Sequence, residues 1–142
     1  MIYHHEIKNK EEAIKLANCG EHISFDGVYK SVYKYYYLFI EKNCVVTLFP
    51  VGDWVGKFDY CDWNELMEMV YNGAILGWHS NKHREPNDTV GMSEIVAPYK
   101  TEHFALPYGR YSKEYLNIAK HYYKYIYGTN VEGDKIILRH EL

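Results

Sequence analysis

The segment Trp78-His79-Ser80-Asn81-Lys82-His83-Arg84-Glu85 holds two imidazoles, two cations and a carboxylate, and Asp88, Glu94, His103 and Arg110 follow within the next 25 residues. Imidazole is the side chain best suited to proton transfer near neutrality and the commonest metal ligand. The four-residue step from His79 to His83 would place both rings on one helix face at metal-ligand reach, with His103 or a carboxylate completing a site. Asn81 and the nearby Pro86 argue against a helix there. A solvated polar loop explains the cluster equally, so no metal and no cofactor is assigned. If the chain is an enzyme, His79, His83 and His103 are its acid, base or ligand groups, and Arg84 or Arg110 binds an anionic group.

Other reactive types are less promising. Cys19, Cys44 and Cys61 are odd in number and widely spaced, which fits structural thiols in a reducing compartment rather than a disulfide framework. The sequences around Ser80 and Ser93 lack a G-x-S-x-G elbow, and no glycine spacing forms a phosphate loop.

Charge gives a competing reading. The chain carries 16 Lys and Arg against 19 Asp and Glu, a net charge of −3. The excess concentrates in residues 43–81, where Lys57 alone faces Asp53, Asp59, Asp62, Glu65 and Glu68. With Trp54, Tyr60 and Trp63 as aromatic anchors, this segment is expected to dock a protein with a basic surface, such as a nucleoprotein. The leading expectation is therefore a non-enzymatic accessory or inhibitor protein of the anti-CRISPR kind, from a phage or mobile element, acting on a host nucleic-acid-handling or defence protein. The enzyme built on the 77–111 histidines is the alternative. A third reading uses the Lys and Tyr interleaved at 30–37 and 120–125 as a single-strand stacking platform. The net negative charge disfavours direct nucleic-acid binding.

Composition bounds the setting. With 47% apolar and 25% charged residues, 142 residues suit one soluble domain. The longest apolar run, Tyr35 to Ile40, is far short of the roughly 20 residues a bilayer span requires. The first twenty residues show no leader pattern, so a cytoplasmic location is expected. Nothing in the sequence sets an oligomeric state.

The elements that must position these groups read as follows. Met1 to Ile7 forms a short strand. Asn9 caps a first helix, with Glu12 in capping-box position and Gly20 as the stop. Val28, Val32, Tyr36 and Ile40 keep helical spacing, but aromatic and β-branched content favours a strand, so a helix is placed at 25–34 and a strand at 35–41. Strands at 44–50 and 54–60 complete a meander. Asp62 and Glu65 begin a helix ending at Gly73, and residues 77–111 are irregular apart from a short strand at Ile95-Val96-Ala97. Ser112 caps a last helix running to Gly128, and a turn at Gly133-Asp134 leads into a strand at 135–138. The fold class expected is α+β, a small antiparallel sheet packed on two or three helices, with a long irregular loop.

Overall fold

The computed structural model describes residues 1–129 and 136–141. Strands β1 (Ile2–His4), β2 (Ile23–Gly27), β3 (Val46–Pro50) and β4 (Ile75–Leu76) alternate with helices α1 (Lys10–Ala17), α2 (Lys30–Glu41) and α3 (Trp63–Tyr71). Beyond them come α4 (Met92–Ile95), β5 (His103–Ala105), α5 (Lys113–Tyr122), β6 (Tyr125–Gly128), β7 (Ile136–Leu138) and β8 (His140–Glu141). Among the described residues every ladder is parallel, in a five-stranded sheet of order β4-β3-β2-β1-β8 and a three-stranded sheet of order β5-β6-β7.

The two sheets meet at both margins. On one side Trp78 bridges Phe104, its N–H donating to the His103 carbonyl while Ala105 donates to the Trp78 carbonyl, both at 3.0 Å. On the other, β7 and β8 are one run interrupted at Arg139, whose N–H donates to Gly128 O at 2.9 Å before His140 N–H turns to Met1 O at 3.4 Å. The strands thus close into a parallel barrel with the helices outside.

This corrects the antiparallel expectation. Parallel neighbours require a crossover between them, which α1, α2, α3 and α5 supply. Strands covered on both faces lose the apolar–polar alternation that marks a half-exposed sheet. All five residues of β2 and all five of β3 are buried. In the 25–41 region the order is reversed: the strand comes first, and the helix expected at 25–34 lies at 30–41 instead. Val32, Tyr36 and Phe39 bury one face of α2, so period 3.6 outweighs the β-preference of its aromatic residues. The strand expected at 54–60 is a 3₁₀ turn at Gly52–Trp54 followed by tight turns, with one antiparallel bridge from Tyr60 to Tyr29. Ile95 closes α4 rather than opening a strand, and α5 stops at Tyr122 so that Tyr125–Gly128 joins the barrel. The Gly133-Asp134 turn lies outside the described residues.

Local signals held where they act within one turn. Asn9 accepts from Glu12 N–H at 2.9 Å, Asp62 and Glu65 form a reciprocal capping box, and Ser112 accepts from Tyr115 N–H at 3.3 Å.

Packing divides along the strands. Ile2, Ile23, Phe25, Val46 and Leu48 point outward to Leu16, Val32, Phe39 and Leu66, while Phe104 and Ile126 meet Tyr115 and Ala119 of α5. Each fully buried Leu, Ile or Phe of this layer contributes about 1.5–3 kcal/mol. The intervening positions point into the barrel, where Phe49, Ala105 and Tyr127 cluster. Gly77 is required there, because a Cβ would stand 2.5 Å from the Phe49 ring. No described helix is long and apolar enough to cross a membrane.

Candidate active site

Because all strands run the same way, the residues at or just beyond their C-terminal ends share one mouth of the barrel. His5 follows β1, Asp26 lies near the end of β2, His79 follows β4, Leu106 to Gly109 follow β5, Thr129 follows β6 and Arg139 follows β7. His5, Asp26, His79, His83, Tyr108 and Thr129 line a cavity of about 330 Å³. This is the end at which parallel α/β folds bind ligands.

Asp26 is 5% exposed and gripped by Arg139, Oδ1 receiving Nη1 at 2.6 Å and Oδ2 receiving Nη2 at 2.9 Å. Nη1 also donates to Ser24 Oγ at 3.0 Å, and the guanidinium lies 5.1 Å from the Tyr3 ring centre and 5.3 Å from that of Phe49. Burial alone would raise the Asp26 pKa, but Arg139, together with His79, holds it down at about 2. The carboxylate is therefore ionised at neutral pH and fixed in direction.

His79 is 3% exposed, and its Nδ1 lies 2.7 Å from the Ala105 carbonyl. A carbonyl only accepts, so Nδ1 carries the hydrogen and Nε2 presents a lone pair. Burial lowers the His79 pKa to about 4 despite the pull of Asp26. Nε2 stands 3.9 Å from Asp26 Oδ2. Two acceptors thus face one another across a gap that a water donating to both, or a cation, would satisfy.

His83 completes the group. Its ring meets His79 edge-on at 4.8 Å and packs between Trp54 at 5.0 Å and Tyr108 at 4.6 Å, and burial lowers its pKa. The loop carrying both histidines is anchored from below. The buried Glu94 carboxylate accepts from Lys82 N–H at 3.0 Å and Arg84 N–H at 3.3 Å, and Asn81 N–H donates to Glu94 O at 2.8 Å. Ser80 (φ 72°), His83 (φ 56°) and Tyr108 (φ 60°) all adopt the left-handed conformation, which costs non-glycine residues energy and concentrates at functional sites.

The structure brings His79 and His83 into one cavity and leaves His103 at the start of β5, at the other end of the barrel, with Nδ1 2.9 Å from the Tyr127 hydroxyl. Arg84 is exposed, and Arg110 pairs with Glu85 at 3.2 Å and lies over the Tyr108 ring at the cavity rim. The acidic segment is largely engaged within the molecule. Asp53 faces Lys82 at 3.7 Å, Asp62 caps α3, Glu65 pairs with Lys30 at 2.9 Å and Glu68 accepts from the Tyr33 hydroxyl. Asp59 is exposed, and its carbonyl accepts from Lys30 N–H at 2.7 Å. Trp54 and Tyr60 stack at 4.9 Å beside the site, and Trp63 packs edge-on against Tyr99 at 5.8 Å. Cys61 is buried, which pushes its thiol up to about 12. Neither Asp26 nor Arg139 stands in a motif that marks it in the sequence. The signal was a single charge inside an otherwise β-forming run, Ile23-Ser24-Phe25-Asp26 and Ile136-Ile137-Leu138-Arg139.

Two neutral imidazoles and a carboxylate around one cavity are donor chemistry for a divalent transition metal, and the His79 Nδ1–H bond to a carbonyl is the outer contact such ligands carry. Among the described residues no three such groups stand at coordinating distance, since both Asp26 oxygens turn to Arg139. The residues suited to hold an ion are His79 and His83, with water or substrate in the remaining positions.

Fold and site together define a parallel α/β barrel with an Asp–His–His cluster at its C-terminal mouth. Residues 21–94, just over half of the chain, match the polysaccharide deacetylase family, and the chain belongs to that family. The matched stretch contains Asp26, His79, His83 and Glu94. Solved structures agree in fold. The deacetylase PplD of Streptococcus pyogenes, solved in complex with acetate, is 20% identical with a TM-score of 0.68 over 90% of this chain and 66% of its own. A polysaccharide deacetylase from Bacillus cereus is 14% identical with a TM-score of 0.68 over 84% and 46%, respectively. A de-N-acetylase from Aggregatibacter actinomycetemcomitans is 16% identical with a TM-score of 0.62 over 97% and 78%. The chain therefore spans 66% of the first of these and under half of the second. No curated protein matches the sequence. Membership in a deacetylase family overturns the expectation of a non-enzymatic, anti-defence phage inhibitor and fits the enzyme alternative built on the loop histidines.

Proposed function

We propose that this chain hydrolyses acetyl groups from an acetylated polysaccharide, releasing acetate and the free amine or hydroxyl of the sugar. The observation that carries the reading is the pair of acceptors, Asp26 Oδ2 and His79 Nε2, facing each other at 3.9 Å in the cavity of a deacetylase-family barrel. A water seated there donates to both groups and turns an oxygen lone pair toward the cavity. Attack on the acetyl carbonyl carbon forms the new C–O bond as the water proton passes to the Asp26 carboxylate. The C–N or C–O bond to the sugar then breaks as the departing atom takes up the proton that Asp26 had received, which restores the carboxylate. Arg139 holds Asp26 in direction, and His79 is held by its bond to Ala105 O. A divalent metal held by His79 and His83 would take the Nε2 lone pair in place of that water contact, leaving Asp26 as the acceptor for the water, and would supply Lewis acidity toward the acetyl oxygen.

The test is acetate release from N- and O-acetylated glycans and from a small acetyl ester, with and without added zinc. Purified protein is expected to release acetate, and Asp26→Asn to lose about 10³-fold or more of that rate. Absence of acetate from every substrate, or full activity in Asp26→Asn, overturns the reading.

A further inference from the structure

We propose that the outer face of α2 is a homodimer interface, on which a second copy of this chain packs its own α2 antiparallel about a two-fold axis near Tyr37. The pairing is independent of the deacetylase reading, because this face lies outside the barrel and shares no residue with the mouth. Helices α2 and α3 expose apolar groups side by side: Tyr71 is 91% exposed, Tyr37 46%, Ile40 45% and Met67 43%. Between the helices runs a groove of about 270 Å³, lined by Tyr37 and Ile40 from one and by Glu68 and Asn72 from the other. Apolar groups gathered on one face, rather than scattered singly, mark an interaction surface. Lys30 donates to Glu65 and Tyr33 to Glu68, each across 35 positions, so the two helices run parallel and in step. That register sets Tyr71 level with Tyr36, next to Tyr37.

Charge selects the partner. Lys34 and Glu41 are exposed, and neither forms an ion pair among the described residues. They stand about two helical turns apart, on one stripe of α2 with Tyr37 between them. In a two-fold pair the same patch meets itself, so a residue above the axis faces one equally far below it. With the helices antiparallel and the axis near Tyr37, Lys34 of each copy meets Glu41 of the other, and the helix dipoles run in opposite directions. Tyr37 and Tyr71 of both copies then gather at the axis, an aromatic centre with a charged rim, which is the anatomy of a protein interface. A parallel pairing would set Lys34 against Lys34 and Glu41 against Glu41, so the same charges oppose it. Glu41 and Glu68 on this face likewise oppose a nucleic-acid strand.

The experiment is sedimentation velocity at low salt over protein concentrations from about 1 to 300 µM, where a monomer–dimer equilibrium is expected. Lys34→Glu and Glu41→Lys each set like charges opposite one another at two places in the interface. Each is expected to weaken the dimer by about tenfold or more. Mixing the two variants in equal amounts restores both opposite-charge pairs, so the mixture is expected to dimerise about as tightly as the native chain. The double variant Lys34→Glu/Glu41→Lys is expected to do the same. Both positions are exposed, and an unchanged urea midpoint in each single variant shows that loss of the dimer is not loss of the fold. A native chain that stays monomeric throughout, single variants that dimerise as tightly as the native chain, or a mixture no tighter than its components each overturn the interface. A monomer that binds single-stranded DNA, and loses it in Tyr37→Ala, overturns it in favour of a nucleic-acid surface. None of these outcomes depends on acetate release, so the deacetylase reading stands or falls separately.

Discussion

At the N-terminal end of the barrel His22 Nε2 meets Thr47 Oγ1 at 2.7 Å and His103 Nδ1 meets the Tyr127 hydroxyl at 2.9 Å, partners that both donate and accept. At the C-terminal mouth His79 commits Nδ1 to a carbonyl and turns Nε2 toward a carboxylate oxygen that has no hydrogen to give. The backbone differs as well. Ser80, His83 and Tyr108 hold left-handed conformations around the mouth, and Asp26 and Arg139 place a charged pair in the interior behind it. One end of the barrel is satisfied and the other is held open. An imidazole becomes a candidate for chemistry through what its second nitrogen lacks rather than through its place in a histidine-rich segment.

The sharpest way to break this contrast is to remove the charge behind the mouth. Arg139→Met leaves the buried Asp26 carboxylate unpaired and is expected to lower stability by about 3–5 kcal/mol, measured by urea unfolding. Adding Asp26→Asn to that variant should recover part of the loss, and a cost under about 1 kcal/mol in the single variant would show that the pair is better solvated than its burial indicates. The two ends are then compared in activity. His79→Ala is expected to lose about 10²-fold or more in acetate release, and His103→Ala to stay within about threefold of the native rate. Equal losses at both ends would erase the distinction.

Acid should reach the mouth first. The His79 pKa falls from an ordinary 6.5 to about 4 in the folded chain, so below 6.5 the unfolded chain takes up a proton that the folded one refuses. Its contribution is complete above 6.5 and is lost as the pH drops toward 4. Asp26, lowered from 3.8 to about 2, adds a second loss between those values. The unfolding temperature of chelator-treated protein is therefore expected to be level near neutrality and to fall through both windows, with His79→Gln flattening the upper one. The smallest effect concerns the loop anchor. Glu94→Ala leaves the Lys82 and Arg84 N–H groups without their acceptor and should cost about 1–3 kcal/mol, while Glu94→Gln, still an acceptor, should cost less.

The histidine loop was legible because His79 and His83 stand four residues apart beside other polar groups, and the carboxylate that complements them was not, because Asp26 lies 53 positions earlier. The surroundings of the acidic run at 53–68 were not legible for a related reason: formal charge does not show that Lys82, Lys30 and Tyr33 answer Asp53, Glu65 and Glu68 across the fold. The segment 25–41 carries a helical period and a β-preferring composition together, and packing of Val32, Tyr36 and Phe39 against the core selects the helix.

By itself the sequence determined what a turn of helix or a single step along the chain decides: the caps at Asn9, Asp62 and Ser112, the amphipathic faces they begin, and the pairing of two imidazoles in one loop. Those signals are side-chain to backbone contacts over three or four residues, and they are written in residue type. Tertiary structure alone decided that the strands run parallel, that they close between Trp78 and Phe104, and that Arg139 reaches Asp26 across 113 positions. Strand direction is set by backbone hydrogen bonds, which every residue type but proline can donate and all can accept, and a long-range ion pair forms only after the closed barrel has brought its two ends together.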